Sequence, residues 1–370
     1  MKNFFQKEIF LQRTQNRQAD IRGDFFRDQT AIIHSTAFRR LKNKTQVFFA
    51  PENDHICTRI EHVLHVATIA ATICKGLNNY GWDLDSDMAY AIGLGHDLGH
   101  TPFGHAGETT LNKILGGNNA FIHEINSYRQ AQYLANKGQG LNLCFAVKDG
   151  IICHNGEQDE QSLKPAKKLN DLDTIKNRQV ISNSFEGCIT RFADKIAYLG
   201  RDIEDAIIAG FITKNDIPNY IVKEIGTKNG QIINTLVIDL IENSKNNSQI
   251  GFSDEKYNLL LTLKDFNYKY IYDHRTLKEY DAFCDKIITN LFEYLLNLFE
   301  KNKFDFPKYE ESNIQLNNNF GNYLSGMENF YKQNKETDKQ IITDYISGMT
   351  DFFALDSIKQ ITIPKPIVFK

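Results

Sequence analysis

The sequence has 370 residues, of which 41% are hydrophobic, so it can bury a sizeable core as one large domain or two. Its formal net charge of −3 provides no overall positive field to draw it to nucleic acid, and a basic patch would have to be local. Residues 1–18 are polar and broken by charges, so they do not predict a signal peptide, and no run of about 18 apolar residues predicts a membrane span. The six scattered cysteines form no Cys-x-x-Cys pair, which indicates reduced thiols and a cytoplasmic location.

Apolar residues recur mostly at helical spacing and predict an all-α fold with few short strands. The predicted helices span residues 59–77, 85–98, 124–136, 184–210, 232–243, 281–301 and 339–350. Short strands are expected at residues 46–50 and 360–369, and exposed loops at residues 156–177, 244–255 and 303–319.

A break near residues 210–218 suggests two parts. Residues 1–215 would form a catalytic core, and residues 216–370 a helical region packed on it. No long flexible linker lies at the break, so one continuous domain is the alternative.

Four residues at wide spacing suggest a metal site: His62, the adjacent pair His96 and Asp97, and Asp194. A single histidine on an amphipathic helix is more often structural than a ligand. However, Asp97 and Asp194 interrupt apolar helices, and burying an ionised carboxylate is costly unless it is paired or bound to a metal. One shared divalent cation (Mn, Mg, Fe, Co, Ni or Zn) explains all four residues, and the alternative for Asp194 is a buried ion pair with Lys195 or Arg201.

More titratable groups follow the His-Asp pair. His105 and Glu108 are three residues apart and would share one face of a helix. A pair of this type can exchange a proton between water and a leaving group, and His123 with Glu124 offers another such group. The alternative is a polar loop whose histidines only satisfy backbone groups.

The helix around Asp194 carries a polar stripe. Asp194, Tyr198 and Asp202 are spaced four residues apart and lie along one side. A metal ligand, a ring and a carboxylate in a row suit a nucleotide, whereas the alternative is a solvated polar face.

Basic residues supply candidate phosphate contacts. Arg59 lies three residues before His62 and therefore on its face. Arg40 belongs to a cluster with Arg39 and Lys42, and its guanidinium can bind phosphate through two hydrogen bonds. A solvated basic helix is the alternative.

Combined motifs resemble the HD superfamily and, within it, the deoxyguanosinetriphosphate triphosphohydrolase-like family. The motifs are Phe38-Arg-Arg-Leu, Thr58-Arg-Ile-Glu-His62, Gly95-His-Asp-Leu-Gly-His-Thr-Pro-Phe-Gly-His-Ala-Gly-Glu108, His123-Glu124, Phe192-Ala-Asp-Lys-Ile-Ala-Tyr-Leu-Gly-Arg-Asp202 and Asp344-Tyr-Ile-Ser-Gly-Met-Thr-Asp351. The resemblance runs from about residue 13 to residue 354. It implies an HD-domain helical core with a helical C-terminal extension.

The resemblance also implies an activity, the cleavage of a deoxynucleoside triphosphate to the deoxynucleoside and tripolyphosphate. By this likeness His62, His96, Asp97 and Asp194 hold the metal, and His105, Glu108, His123 and His100 are the catalytic candidates. Arg40, Arg59 and Lys195 would hold phosphates, Gln46 and Asp202 the sugar 3′-hydroxyl, and Tyr198 would pack on the sugar.

The family also implies partners. These are a homo-oligomer (tetramer or hexamer), a second deoxynucleotide as allosteric activator, and weak single-stranded nucleic-acid binding, with no membrane. Alternative functions are an HD phosphodiesterase or 5′-nucleotidase, or a nucleotide-sensing or single-strand nucleic-acid-binding protein of the same fold.

Overall fold

The computed structural model describes residues 1–49, 53–155 and 158–364. Their α-helices are α1 Lys7–Phe10, α2 Asp24–Ile33, α3 Thr36–Arg40, α4 Arg59–Asn78, α5 Ser86–Gly95, α6 Gly104–Ile114, α7 His123–Arg129, α8 Ala135–Gly138, α9 Phe145–Ile152, α10 Phe185–Ile208, α11 Asn219–Ile225, α12 Asn229–Ser244, α13 Asp254–Asn267, α14 Arg275–Asn302, α15 Pro307–Glu310, α16 Gln315–Asn334, α17 Asp338–Ser347 and α18 Asp351–Thr362. Two π-helical turns (Gln130–Leu134 and Tyr268–Tyr272) and three 3₁₀ turns (Leu41–Asn43, Leu172–Thr174 and Lys214–Asp216) complete the helical structure. The strands in these ranges are β1 Ser162–Leu163 and β2 Ile250–Gly251, which pair antiparallel. The all-α expectation is therefore confirmed.

The helices α4, α5 and α10 pack together and position the candidate site. Each begins at a side chain that accepts a backbone N–H: Glu61 and Thr58 form a capping box at α4, Asp85 caps α5 and Ser184 caps α10. The α4 and α5 backbones approach closely at Gly93, where a Cβ atom would lie 2.5 Å from the Ala67 Cα. This contact fixes the register of the two helices that carry the first three predicted metal ligands.

Helix α4 is long and apolar enough to cross a membrane, judged by length and composition alone. However, 56% of its apolar window is buried inside the protein, where the helix packs against α5 and α10. The helix therefore forms part of the hydrophobic core.

The C-terminal helices build a second hydrophobic cluster that reaches the first half of the chain. Helix α14 packs against α6, α17 and α18, and the cluster includes Phe103 and Leu111 as well as Leu291 and Phe320. Another cluster contains Ile196 and Leu236, so apolar packing also continues across residue 215. The division into residues 1–215 and 216–370 stays a prediction.

The predicted helices are confirmed with shifted ends, and neither predicted strand is found within the described residues. Residues 46–49 form no strand, although the neighbouring Thr45 makes an isolated bridge to Thr58. Residues 360–362 belong to α18, because the apolar side chains of this segment pack on the C-terminal cluster, and residues 365–369 lie outside the described residues. The loop predicted at residues 303–319 contains α15 and the start of α16.

Candidate metal centre and active-site cavity

The four predicted metal ligands converge although they come from three helices. His62 lies in the first turn of α4, His96 and Asp97 follow the end of α5, and Asp194 lies within α10. The His62 Nε2 atom is 2.9 Å from the Asp194 Oδ1 atom. The His96 Nε2 atom is 3.7 Å from the Asp97 Oδ2 atom and 3.9 Å from the Asp194 Oδ1 atom. All four side chains are buried, so their polar atoms face one another instead of solvent.

His96 has the features of an imidazole ready to bind a cation. Its Nδ1 atom lies 2.7 Å from the Gly93 carbonyl oxygen, which can only accept, so Nδ1 carries the proton. Its Nε2 atom is buried and has no hydrogen-bond partner among the described residues, and burial lowers the pKa of His96 to about 4. The neutral ring therefore directs a lone pair at the two carboxylates. A set of imidazole nitrogens and carboxylate oxygens with such support fits a divalent cation.

Arg59 connects this cluster to the neighbouring loop. Its Nη1 atom is 2.5 Å from the Asp97 Oδ2 atom, and its remaining donors bind the carbonyl oxygens of Thr45 and Gln46 at 3.1 and 3.2 Å. Burial opposes ionisation of Asp97, but Arg59 and nearby histidines hold the pKa of Asp97 well below its usual range. The guanidinium thus keeps Asp97 anionic and holds the segment that carries Gln46 next to Asp97.

A second polar group forms beside the metal cluster around Glu108. Its Oε2 atom is 3.3 Å from His105 Nδ1 and 2.9 Å from His123 Nδ1, and its Oε1 atom accepts the His123 backbone N–H at 3.0 Å. Burial lowers the pKa of His123, but Glu124 and Glu108 outweigh it and raise that pKa to about 10. His100 stacks on His123 at 4.5 Å, and within the part of the chain that the structure describes neither of its ring nitrogens has a hydrogen-bond partner.

The turn that precedes α6 brings these groups together. Phe103 and Gly104 both have positive φ, at 62° and 59°. A Cβ atom at residue 104 would lie 3.2 Å from the Gln46 carbonyl oxygen, so a glycine suits both the conformation and the space. His105 and Glu108 then lie in the first turns of α6 and face the cavity.

One cavity of about 780 Å³ joins both groups, a size typical of small-molecule sites. The predicted residues that line it are Gln46, Arg59, His62, Asp97, His100, His105, Glu108, His123, Asp194, Tyr198 and Asp202. Its opposite wall includes Tyr268, Tyr272, Leu277, Tyr280 and Asp281 from the π-helical turn and α14. The Tyr272 hydroxyl donates to Asp202, and burial raises the pKa of that carboxyl to about 7.

The structure does not bring two of the predicted residues, Arg40 and Lys195, to the cavity. Arg40 points at the C-terminal helices, where its Nη1 atom would lie 2.8 Å from a Cβ atom on Gly348. Lys195 points away from Asp194 because it lies on the next face of α10, and its Nζ atom donates to the Gln158 carbonyl and to Glu160. Burial lowers the pKa of Lys195 to about 8, although Glu160 opposes this change.

Three residues at the site were missed from the sequence: His154, Arg178 and Tyr272. The His154 Nε2 atom lies 3.3 Å from the His123 Nε2 atom, and its Nδ1 atom donates to the Ile151 carbonyl oxygen at 2.6 Å. His154 lies two residues after the end of an apolar helix, much as His96 follows α5, so the same signal could have found it. Arg178 and Tyr272 had no such signal.

Arg178 joins the site from the loop before α10. It donates to Glu108 and Glu124, each at 2.8 Å. Because both carboxylates are buried, the guanidinium fixes their orientation as well as compensating their charge.

Comparisons with known proteins identify the family to which the chain is similar. Residues 59–199 match the HD domain, and residues 250–360 match the phosphohydrolase-associated domain. A deoxyguanosinetriphosphate triphosphohydrolase-like protein of Caldanaerobacter subterraneus subsp. tengcongensis is 37% identical over 352 residues, which cover 95% of this chain and 88% of the relative. Relatives of the same description are 34% identical in Clostridium tetani (95% and 89% covered) and 32% identical in Rickettsia typhi (93% and 93% covered).

Proposed function

The chain belongs to the deoxyguanosinetriphosphate triphosphohydrolase-like family of HD-domain phosphohydrolases, and from this premise we propose that it hydrolyses a deoxynucleoside triphosphate to the deoxynucleoside and tripolyphosphate. The observation that carries the proposal is the cavity itself. A cation-binding cluster, the Glu108 group and the Tyr198–Asp202 stripe all line one space of about 780 Å³. This space suits a nucleotide with a phosphate at the metal and a sugar against α10.

His62, His96, Asp97 and Asp194 would hold a divalent cation: Mn, Mg, Fe, Co or Ni. When bound there, the cation would polarise a phosphoryl oxygen and neutralise developing charge. Side chains of the protein would bind the phosphates and transfer the protons. Arg59 and His100 line the cavity beside this cluster and would contact phosphate oxygens.

The Glu108 group would handle the protons. A water attacks the α-phosphorus, the bond from phosphorus to the 5′-oxygen breaks, and the tripolyphosphate keeps the oxygen of the water. Glu108 and His123 hold His105 and the attacking water in place. The His105–Glu108 pair takes the proton of the water, and a proton returns to the leaving 5′-oxygen.

The stripe on α10 would select the sugar. Tyr198 packs on the ring and crowds a 2′-hydroxyl, while Asp202 and Gln46 hydrogen-bond the 3′-hydroxyl. Asp202 already accepts a hydrogen bond from Tyr272, so its orientation is set before substrate arrives. Activation by a second deoxynucleotide, a tetramer or hexamer, weak single-stranded nucleic-acid binding and a cytoplasmic location stay predictions.

The test is a chromatographic screen of the four deoxynucleoside triphosphates, singly and in pairs, with Mn or Mg. We expect the deoxynucleoside and tripolyphosphate as products, and the pairs would reveal an activator that single substrates hide. Monophosphate and pyrophosphate as products would show that a different bond is cut. Activity on phosphodiesters or on monophosphates alone would favour a phosphodiesterase or 5′-nucleotidase.

Replacing one predicted metal ligand tests whether the activity depends on the metal cluster. Asp194→Ala should abolish turnover and lower the bound metal measured by mass spectrometry, with an unchanged circular dichroism spectrum. Asp285→Asn, which alters a half-exposed carboxylate at the far side of the cavity, is the control. Retained turnover in Asp194→Ala would overturn the assignment.

A further inference from the structure

Two buried histidines beside the predicted metal cluster face each other with the same ring atom. The Nε2 atoms of His123 and His154 lie 3.3 Å apart. The Nδ1 atom of His154 donates to the Ile151 carbonyl oxygen at 2.6 Å. The Nδ1 atom of His123 lies 2.9 Å from Glu108 Oε2, and a carboxylate oxygen can only accept. Each Nδ1 atom therefore carries a proton, and in neutral rings the two Nε2 lone pairs face each other. This arrangement requires a positive charge between them.

Carboxylate oxygens lie next to these two nitrogens. The Asp97 Oδ1 atom is 3.9 Å from the His123 Nε2 atom, whereas the Asp97 Oδ2 atom faces His96 at 3.7 Å. The Glu124 Oε2 atom is buried and accepts no hydrogen bond from the described residues. Ligand atoms of His123, Glu124 and His154 lie within 4.8 Å of one another. Nitrogen and oxygen atoms thus surround a second point beside the four predicted ligands, and Asp97 has one oxygen on each side.

The surroundings of His154 repeat those of His96. Each ring donates from Nδ1 to the carbonyl oxygen three residues earlier in the chain, at 2.6 and 2.7 Å respectively. Histidines that bind metals typically have this support, because a carbonyl or carboxylate on one ring nitrogen fixes the tautomer and the direction of the other nitrogen. A carboxylate supports His123 in the same way. Both histidines are therefore oriented as ligands, as His96 is.

We propose that Asp97, His123 and His154 bind a second divalent cation, and that Asp97 is the carboxylate shared by the two ions. Glu124 lies close enough to add a further oxygen ligand. Imidazole and carboxylate ligands suit the same metals as the first site does. Asp97 and His123 line the cavity, so this ion would face the substrate. The inference rests on the first cation site of the proposed function but not on cleavage of a deoxynucleoside triphosphate.

A proton is the alternative occupant of this place. If the His123 Nε2 atom carried a proton, it would donate to the His154 Nε2 atom and remove the repulsion without a metal. A cation replaces such a proton, because histidine binds metals only in its neutral form. The two occupants therefore predict different metal contents for the same protein.

The experiment equilibrates the full chain with Mn, removes the free ion, and counts the bound ions by mass spectrometry. We expect two Mn ions per chain, as in two-metal sites whose ions are about 3.5–4 Å apart. Ions this close interact magnetically, so the electron paramagnetic resonance spectrum should differ from that of isolated Mn. One ion per chain, or a second ion without magnetic coupling, would overturn the proposal.

A variant assigns the second ion to its ligands. His154→Leu removes a ligand of the second site and none of the first. We expect the magnetic coupling to disappear and the Kd of the second ion to rise at least about tenfold, while the first ion stays bound. His34→Leu alters an exposed histidine at the end of α2 and is the matched control, which should keep both ions.

Unchanged binding of the second ion in His154→Leu would contradict the assignment. Should His154→Leu not fold, as judged by circular dichroism, His154→Gln also lacks the ring nitrogen and provides the same comparison. No substrate is present in these measurements. A protein that holds two coupled ions but cleaves no deoxynucleoside triphosphate would refute the proposed function alone, and an active protein with one ion would refute only the second site.

Discussion

The Asp351 carboxylate accepts a hydrogen bond at 2.9 Å from the backbone N–H of Phe103, across 248 residues of sequence. Its other oxygen accepts the Thr45 backbone N–H at 2.8 Å. One side chain at the start of α18 thus holds both the left-handed turn before α6 and the segment that carries Gln46. The C-terminal helices are therefore part of the scaffold of the site.

Asp351→Asn should weaken this scaffold. The amide presents a donor where the carboxylate accepts from two N–H groups, so at least one buried donor loses its partner. We expect the free energy of unfolding to fall by about 1–3 kcal/mol and turnover to fall with it. Urea denaturation and initial rates measure the two effects. Asp356→Asn on the exposed face of the same helix is the control, and equal behaviour of the two variants would contradict the assigned role.

Gly99→Ala should displace the segment between the metal cluster and the Glu108 group. A Cβ atom there would lie 2.2 Å from the Ser127 backbone nitrogen, so the α7 backbone would have to move. We expect a loss of about 1–3 kcal/mol in the free energy of unfolding. Gly230→Ala is the matched control, because its added Cβ atom meets nothing within 4 Å and should stabilise α12 by about 0.5–1 kcal/mol.

Arg178→Gln should disorder the two carboxylates that it orients. Glu108 would lose a donor that helps it to position His105, so we expect kcat to fall roughly 10- to 100-fold. Arg178→Lys keeps the positive charge, but its ammonium group can donate to only one of the two carboxylates in good geometry. This variant should therefore restore part of the rate. Steady-state kinetics of the three proteins provide the test, and a change confined to KM would contradict a positioning role.

Asp202 should make stability depend on pH. Burial raises the pKa of Asp202 to about 7, from 3.8 in the unfolded chain, although the Tyr272 hydroxyl opposes the shift. Because the folded pKa is the higher one, the protonated acid contributes stability that is lost as the pH rises toward 7. The Asp202→Asn variant cannot ionise, so its stability relative to the unaltered protein should rise between about pH 4 and pH 7 and then level off, by at most about 4 kcal/mol.

Thermal melts of both proteins across this range measure the difference. Asp285→Asn serves as the control, since the Lys113 hydrogen bond lowers the pKa of that half-exposed carboxyl, which stays ionised throughout. A melting difference between Asp202→Asn and the unaltered protein that is constant with pH would show that Asp202 ionises normally.

The sequence predicts the long helices well, because their periodicity reflects burial along one face. Helix α4 was expected at residues 59–77 and spans Arg59–Asn78. Helix α16 was not predicted because its many asparagines are typical of a loop. The segment forms a helix because its apolar side chains pack against α14 and α17. The tail was taken for a strand because Ile361 and Ile363 alternate with polar residues, yet α18 continues to Thr362.

Some residues of the candidate site could also be predicted from the sequence, and others could not. Asp97 and Asp194 could be proposed from the sequence because burying an ionised carboxylate within an apolar helix costs free energy unless it is paired or bound to a metal. Arg178 could not, since its contacts with Glu108 and Glu124 depend on how a loop crosses the fold. Lys195 lies on α10 as expected, but its side chain does not line the cavity, because a residue one position from Asp194 points about 100° away around the helix.

The contact between Asp351 and Phe103 also has a consequence for synthesis. Chains emerge from the ribosome N-terminus first, and domains begin to fold as they appear. The four predicted metal ligands all lie before residue 195, whereas the turn before α6 gains its contact with Asp351 only after residue 351 has been made. The wall of the cavity that this turn forms would therefore be completed only when nearly the whole chain is available.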